Sequence, residues 1–111
     1  MNPIFPDAIR NLPQADVPLT GSISYLSQSD THQILFMEFH SDIEVPEHSH
    51  AAQFAIVVEG IIDLTIDGDK RSYAKGDRYY IPAGVKHGAK IHAGYADVTY
   101  FDQPNRYSVK P

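Results

Sequence analysis

Three of the six histidines are spaced as ligands of a single metal ion would be. His48 and His50 are separated by one residue, and in an extended strand such residues point to the same face. Two imidazoles a few ångströms apart can bind one divalent ion at ~2.0–2.2 Å, with a third ligand supplied by another strand. His87 follows a Pro-Ala-Gly turn, and Gln53 lies close downstream of His50 with an amide oxygen to offer. We predict a metal site of His48, His50, Gln53 and His87; a solvated His-x-His pair without metal is the alternative.

Composition limits which other sites the chain can build. It has 111 residues, no cysteine and a formal net charge of −5 at pH 7. Without cysteine, thiolate zinc sites, iron–sulfur clusters, disulfides and cysteine nucleophiles are excluded, so a metal site needs imidazole, carboxylate or amide oxygen. The acidic balance argues against a sequence-independent grip on nucleic acid, which needs clustered Lys and Arg. The length predicts one domain.

The sequence lacks the usual signals for membrane insertion and export. No apolar run approaches the ~18–20 residues that a membrane helix needs. The N-terminal residues have neither a basic region nor an apolar region of the kind found in signal peptides. We therefore expect a cytoplasmic protein with no membrane partner.

Short segments of strand character recur along the chain, separated by Gly and Pro. This pattern is typical of an all-β sandwich or barrel. Residues 33–39 and 54–58 are nearly all apolar and predict strands buried on both faces, whereas 62–66 alternates apolar and polar side chains. Asp67-Gly68 then predicts a hairpin turn. Further strands are expected at 78–81 and 95–101.

The first eighteen residues differ from the rest. Four prolines among them exclude a continuous helix and a central strand. We predict a Pro-rich N-terminal arm at 1–18, extended across the barrel or a neighbouring subunit, with a disordered tail as the alternative. Residues 19–111 are then the barrel with a short C-terminal tail.

The spacing of Gly, Pro, Gln and His residues resembles that of the cupin family. The cupin motifs are G(x)₅HxH(x)₃₋₄E(x)₆G and G(x)₅PxG(x)₂H(x)₃N, and they are found here around His48–Gly60 and Gly76–His87. The resemblance implies a single-domain double-stranded β-helix, which is a jelly-roll barrel. It also implies one divalent metal ion per chain (Zn, Ni, Fe, Mn or Cu), a small-molecule ligand or substrate and a homodimer.

This chain departs from the cupin motifs at three positions. Ile43 stands in place of the first Gly and Ile91 in place of the last Asn, which affects local turns and packing. Gln53 stands in place of Glu and follows His50 after two residues instead of three or four. A glutamine ligand leaves the charge of a divalent ion at +2 and removes the carboxylate base from the site.

The glutamine directs the expected chemistry toward a metal that polarises a carbonyl or enol oxygen. Small cupins with an HxH-Gln-His site include the pectin-degradation enzymes that convert unsaturated uronates to linear ketones, and polyketide-cyclase cupins also use Gln. We therefore predict isomerase or lyase chemistry on a small oxygenated, acidic or carbohydrate-derived metabolite. A non-catalytic binding module for a sugar or small molecule is one alternative, and a three-His dioxygenase is another.

Such chemistry needs a proton carrier besides the ligands. The candidates are Asp97, Asp102, Glu38, Tyr80 and Tyr100. The uronate-converting cupins carry an acid, an aromatic residue and an Arg on and after the last strand, and this resemblance implies catalytic roles for Asp102, Tyr100 and Arg106. Arg106 would bind a substrate carboxylate. The alternative is an exposed turn in which Asp102 and Arg106 form a local ion pair.

Overall fold

The structure, a computed structural model, describes residues 3–111. Among these residues it contains one short helix and nine strands. Their bounds are α1 Asp7–Arg10, β1 Ser22–Gln28, β2 Gln33–Phe39, β3 Ile43–His48, β4 Gln53–Glu59, β5 Ile61–Ile66, β6 Asp69–Ala74, β7 Arg78–Ile81, β8 His87–Ile91 and β9 Ala96–Phe101. Within the described range, no helix is long and apolar enough to cross a membrane.

The strands form two antiparallel sheets in a single domain. The larger sheet has the order β1-β2-β9-β4-β7 and the smaller one the order β3-β8-β5-β6. Their inner faces supply a shared apolar core, in which Leu35, Ala55, Val57 and Ile81 are at most 1% exposed. Strands that lie side by side are often far apart in the chain, as in a jelly roll. The prediction of an all-β, single-domain fold is confirmed.

The two strands predicted to be buried on both faces are each buried on one face. In β2 the buried residues alternate with partly exposed ones, and in β4 Phe54 and Ile56 are 38% and 46% exposed. That prediction was wrong because an antiparallel sheet needs an apolar core contact on only one side. Apolar residues on its other side either contact an additional segment or stay at the surface.

The N-terminal segment supplies such a cover for part of the larger sheet. Phe5 is 4% exposed, and its ring centre lies 6.3 Å from that of Tyr25 on β1 and 5.6 Å from that of Phe36 on β2. Isolated backbone bridges join Gln14 to Tyr25 and Ala15 to Val109. Residues 3–18 therefore pack on the barrel, while Met1 and Asn2 lie outside the described residues. The division of the chain at residue 18 stays a prediction.

Two turns show why glycine occupies its positions. Asp67 and Gly68 have φ angles of 48° and 80°, as a type I′ hairpin requires, and they join β5 to β6 as predicted. At Gly60, with φ of 74°, a Cβ atom would lie 2.6 Å from the Cα of Tyr95. Only glycine allows the β4–β5 turn to approach the start of β9 this closely.

Candidate metal centre

Cross-strand pairing brings the three histidines together. His48 ends β3 and His87 begins β8, and the two are partners in the antiparallel register. A register shift between Val45 and His48 interrupts the ladder just before this pair. His50 lies beyond the end of β3, in the connection to β4. The two motif histidines are therefore neighbours, although only His48 belongs to the strand.

The imidazole nitrogens of these histidines converge. One ring nitrogen from each of His48, His50 and His87 lies within 4.8 Å of the other two. The Nε2 atoms of His50 and His87 are 3.0 Å apart. The ring centres of His48 and His87 are 4.3 Å apart, and those of His48 and His50 are 5.2 Å apart. Three imidazoles at this separation can contact one ion.

Backbone hydrogen bonds determine which ring nitrogen carries the proton. The Nδ1 atom of each histidine lies 2.7–2.9 Å from a carbonyl oxygen, which can only accept, so each Nδ1 is protonated and donates. Each neutral ring then has an unprotonated Nε2, and a lone pair on that atom. The acceptors for His48, His50 and His87 are the carbonyls of Pro46, Ala51 and Val85, respectively.

Converging lone pairs repel one another unless a cation lies between them. An Nδ1–H to carbonyl hydrogen bond is also what fixes the ring orientation of histidines that bind metals through Nε2. Burial lowers the pKa of His50 to about 4 and lowers the pKa of His87, so both rings stay neutral near pH 7. The residues present thus fit a divalent metal ion held by three neutral imidazoles.

The three histidines open onto a cavity between the two sheets. The cavity has a volume of about 80 Å³. An adjoining vestibule of about 350 Å³ shares His48, Arg106 and Tyr107 with it and is bordered by Val17, Pro18 and Leu19. Its lining includes the three imidazoles, one amide, one carboxyl group and one guanidinium group, which belong to His48, His50, His87, Gln53, Asp97 and Arg106. All four predicted metal ligands therefore border one cavity.

Comparison with known protein families shows to which family this chain belongs. Residues 35–102 match the family model of the cupin domain. The chain belongs to the cupin family. No curated protein has a detectably similar sequence.

Solved cupins share the fold at low sequence identity. An RmlC-like cupin from Shewanella frigidimarina is 24% identical with a TM-score of 0.72, covering 85% of this chain and 86% of that one. KdgF from a Halomonas species is 18% identical with a TM-score of 0.69, covering 82% and 87%. Oxalate decarboxylase of Bacillus subtilis, whose Mn(II) centres have been studied, is 18% identical with a TM-score of 0.71, covering 87% of this chain and 29% of that one. These similarities show the cupin jelly roll.

Arg106 enters the cavity of this cupin from the C-terminal segment. Its guanidinium carbon lies 4.9 Å from the ring centre of Tyr107 and 6.0 Å from that of Phe101. Its Nε is buried without a hydrogen-bond partner in the described part of the chain. None of the ion pairs among residues 3–111 includes Arg106, so the local pair with Asp102 considered above is not formed.

Tyr100 and Asp102 lie away from the cavity. Phe101 is buried on the inner face of β9, so its two neighbours in the chain point elsewhere. The Tyr100 ring stacks on His32 at 4.9 Å between ring centres. Asp102 is exposed, and its backbone N–H donates to the carbonyl of Ala52 at 2.9 Å. Of the three predicted catalytic residues, the structure brings only Arg106 to the histidines' cavity.

Asp97, one of the candidate proton carriers, is a buried carboxyl group on β9. Asp97 is 3% exposed, and its Oδ2 accepts hydrogen bonds from the hydroxyls of Tyr95, at 2.5 Å, and Tyr79, at 3.5 Å. Burial raises the pKa of Asp97 to about 6 and raises the pKa of both tyrosines well above their usual range. The sequence signal for this group is the period of two along β9, which puts residues 97, 99 and 101 on one face.

Proposed function

We propose that this cupin is an enzyme that binds one divalent metal ion per chain and acts on a small oxygenated, acidic metabolite. The chemistry is that of an isomerase or lyase, in which a carbonyl or enol group of the substrate is activated. The observation that carries the proposal is the convergence of one ring nitrogen from each of His48, His50 and His87, with the Nε2 atoms of His50 and His87 3.0 Å apart. The Mn(II) centres of the structurally similar oxalate decarboxylase support a metal in this fold.

Each residue around the ion has a separate task in the proposed reaction. The three imidazoles hold the metal, and the amide oxygen of Gln53 is proposed as the fourth ligand. These ligands are all neutral, so a bound divalent ion would keep its full charge and act as a Lewis acid on a carbonyl or enol oxygen. Because no ligand is a carboxylate, the proton carrier has to be a different residue.

Arg106 is suited to bind the acidic group of the substrate. Its cation lies at the junction of the cavity and the vestibule and is held against Phe101 and Tyr107. A guanidinium fork binds a carboxylate through paired hydrogen bonds, and its partly buried position strengthens them. We therefore expect the substrate to present a carboxylate to Arg106 and a carbonyl or enol oxygen to the histidines.

The sizes of the two spaces suit a substrate with a small reacting end. A cavity of about 80 Å³ is small, with room for a few small groups at most. A group of a few non-hydrogen atoms fits there, and the larger vestibule can hold the remainder of the molecule. A carbohydrate-derived acid with its carbonyl end inward meets this condition.

The first experiment measures metal content and then activity. Elemental analysis of protein purified without a His-tag identifies the metal, and His50→Ala is expected to lose it while keeping its β-sheet circular dichroism. His40→Ala is the matched control because the His40 side chain is 59% exposed and lies outside the cluster. About one metal ion per chain in His50→Ala would refute the site.

The second experiment screens the metal-loaded protein against uronates, enols, diketones and flavonols. Isomerisation or elimination of an acidic member of this panel is the expected result. Tight binding without turnover would instead indicate a binding module, and oxygen consumption would indicate a dioxygenase. Either result would replace the proposed reaction while leaving the metal site in place.

Assembly as a homodimer is proposed from the outer face of the larger sheet. Phe54, Ile56 and Tyr80 are 38%, 46% and 58% exposed on neighbouring strands, and β7 is an edge strand. A contiguous apolar face beside an edge strand favours contact with another chain. Light scattering that gives the mass of a monomer would contradict the dimer. The cytoplasmic location stays a prediction.

A further inference from the structure

The chain segment that carries Arg106 is held on both sides by two glutamine side chains of the β1–β2 hairpin. Gln28 ends β1 and Gln33 begins β2, and the two residues form the pair nearest the turn in the register of these strands. We propose that this glutamine pair positions Arg106 in the wall of the histidines' cavity, so that its guanidinium group can bind the acidic group of the substrate. This inference rests on the proposed function and adds to it the residues that hold the anion-binding group.

Gln33 bonds to both backbone polar groups of Tyr107, the residue after Arg106. Its Nε2 donates to the carbonyl oxygen of Tyr107 at 2.8 Å, and its Oε1 accepts from the backbone N–H of Tyr107 at 3.1 Å. A residue of a neighbouring antiparallel strand would pair with Tyr107 through the same two groups. The side-chain amide of Gln33 therefore fixes the backbone on one side of Arg106.

Gln28 fixes the backbone on the other side of Arg106. Its Nε2 donates to the carbonyl oxygens of Pro104 at 2.7 Å and of Ser29 at 2.8 Å, and its Oε1 accepts from Nε2 of Gln33 at 2.8 Å. Each amide nitrogen thus uses both of its hydrogens. Carbonyl oxygens can only accept, so neither amide can be reversed without the loss of hydrogen bonds. The glutamine pair is therefore one connected unit with a defined orientation.

The glutamine pair supplies hydrogen bonds that the backbone does not. Within residues 3–111, the carbonyl of Pro104 and both backbone polar groups of Tyr107 have no hydrogen bond to another backbone group. Beyond this segment the situation differs, since the N–H of Asp16 donates to the carbonyl of Ser108 and the N–H of Lys110 donates to that of Gln14, each at 2.8 Å. The N-terminal segment thus holds residues 108–110, and the side chains of the glutamine pair hold residues 104 and 107.

The burial of Gln33 shows that its amide has a specific task. The side chain is 0% exposed, and Gln33 is in register with Phe101 of β9. The Phe101 ring centre lies 5.8 Å from that of Tyr107 and 6.0 Å from the guanidinium carbon of Arg106. An amide loses its hydration when it is buried, whereas an apolar side chain of similar size would fill the space without that cost. The amide therefore contributes the position of the segment that it binds.

A fixed position matters for Arg106 because its side chain is long. Its Nε is buried without a hydrogen-bond partner in the described chain, and its guanidinium group borders both the cavity and the vestibule. If residues 104–107 were mobile, an acid would have to order them on binding. Fixing the backbone of one residue weakens binding by about tenfold. A segment that is already fixed avoids this loss, as preorganised sites do.

The test uses zinc-loaded, ¹⁵N-labelled protein with D-galacturonate as the probe. Gln33→Met keeps the length of the side chain and removes its hydrogen bonds to Tyr107. We expect a lower heteronuclear NOE at Nε–H of Arg106, a signal that Arg106→Gln identifies by its loss. The dissociation constant for D-galacturonate should rise at least about tenfold, with zinc content unchanged. Val57→Ala is the control for a loss of stability alone and should change neither quantity, because Val57 is 1% exposed in the core and does not line the cavity.

Two further variants make the test specific and guard against misfolding. Gln28→Met changes an exposed side chain and should lower the Arg106 NOE even if Gln33→Met does not fold. In an Arg106→Gln background, Gln33→Met should change the dissociation constant less than about threefold, since the group that it positions is absent. The full tenfold loss in that background would show that the effect does not pass through Arg106 and would overturn the inference.

The remaining outcomes separate this inference from the proposed function. An Arg106 side chain that stays as rigid in both glutamine variants as in the wild type would overturn the inference and leave the metal and acid sites in place. No binding of D-galacturonate by the zinc-loaded wild type would overturn binding of uronates by Arg106, and the glutamine pair would then have no role in substrate binding. Zinc retained by His50→Ala would overturn the metal site alone.

Discussion

Replacement of Asp97 by Asn should change how the stability of this cupin depends on pH. Burial raises the pKa of the folded-state carboxyl from 3.8 to about 6. Between these values the folded protein binds more protons than the unfolded chain, so stability falls as pH rises through this range. Below pH 3.8 the group is protonated in both states, and above pH 6 the loss is complete. Asn cannot ionise, so the variant lacks this contribution.

The size of the effect follows from the two pKa values. With 3.8 unfolded and about 6 folded, ionisation of Asp97 lowers the free energy of unfolding by about 0.6 kcal/mol at pH 4 and by about 3 kcal/mol at pH 7. The difference in stability between Asp97→Asn and wild type should therefore grow in favour of the variant by roughly 2 kcal/mol from pH 4 to pH 7. The tyrosine hydroxyls stay protonated throughout, because burial raises their pKa values.

Urea unfolding of metal-free protein at several pH values measures this difference. Chelator is present in every sample so that metal binding does not contribute to stability. Asp69→Asn serves as the control, since its carboxylate is 64% exposed and paired at the surface with Arg71. A stability difference between Asp97→Asn and wild type that stays constant within ~0.5 kcal/mol from pH 4 to pH 7 would refute the reasoning.

Three further variants test the ligand set, the turn and the anion site. Gln53→Glu should tighten metal binding and alter reactivity, because a carboxylate replaces a neutral ligand; an unchanged metal affinity would count against ligation by Gln53. Gly60→Ala should lower the melting temperature more than Gly68→Ala does, since both have positive φ but only at Gly60 would the Cβ meet Tyr95. The expected loss at Gly60 is at least ~2 kcal/mol. Arg106→Gln should raise the dissociation constant for a uronate bound by the wild type at least about tenfold by calorimetry with metal content unchanged, and an unaltered constant would contradict the carboxylate site.

The histidine cluster could be predicted because its information is local. The His-x-His spacing and the turn before His87 are visible in the sequence, and the cupin motif relates the two segments. The sequence predicted that His48 and His50 converge, but only part of the structural reason. The spacing suggested two rings on one face of a strand, whereas β3 ends at His48 and cross-strand pairing with His87 completes the cluster.

Residues on and after β9 were harder to assign. In a strand, alternate side chains point into the core. Here Asp97, Thr99 and Phe101 alternate with Val98, Tyr100 and Asp102, and because each set contains an aromatic and an acidic residue, composition alone does not say which set is buried. Phe101 faces inward, so Tyr100 and Asp102 point elsewhere and Asp97 is buried. The same ambiguity made β4 look buried on both sides, although Phe54 is exposed on its outer face.

The charges inside the cavity explain how an acidic protein can favour an acidic substrate. The chain carries a formal net charge of −5, yet Arg106 reaches the cavity without an acidic partner in the described chain. At short range and in a poorly solvated site, this fixed cation acts more strongly on a ligand than distant surface carboxylates, which water and salt screen.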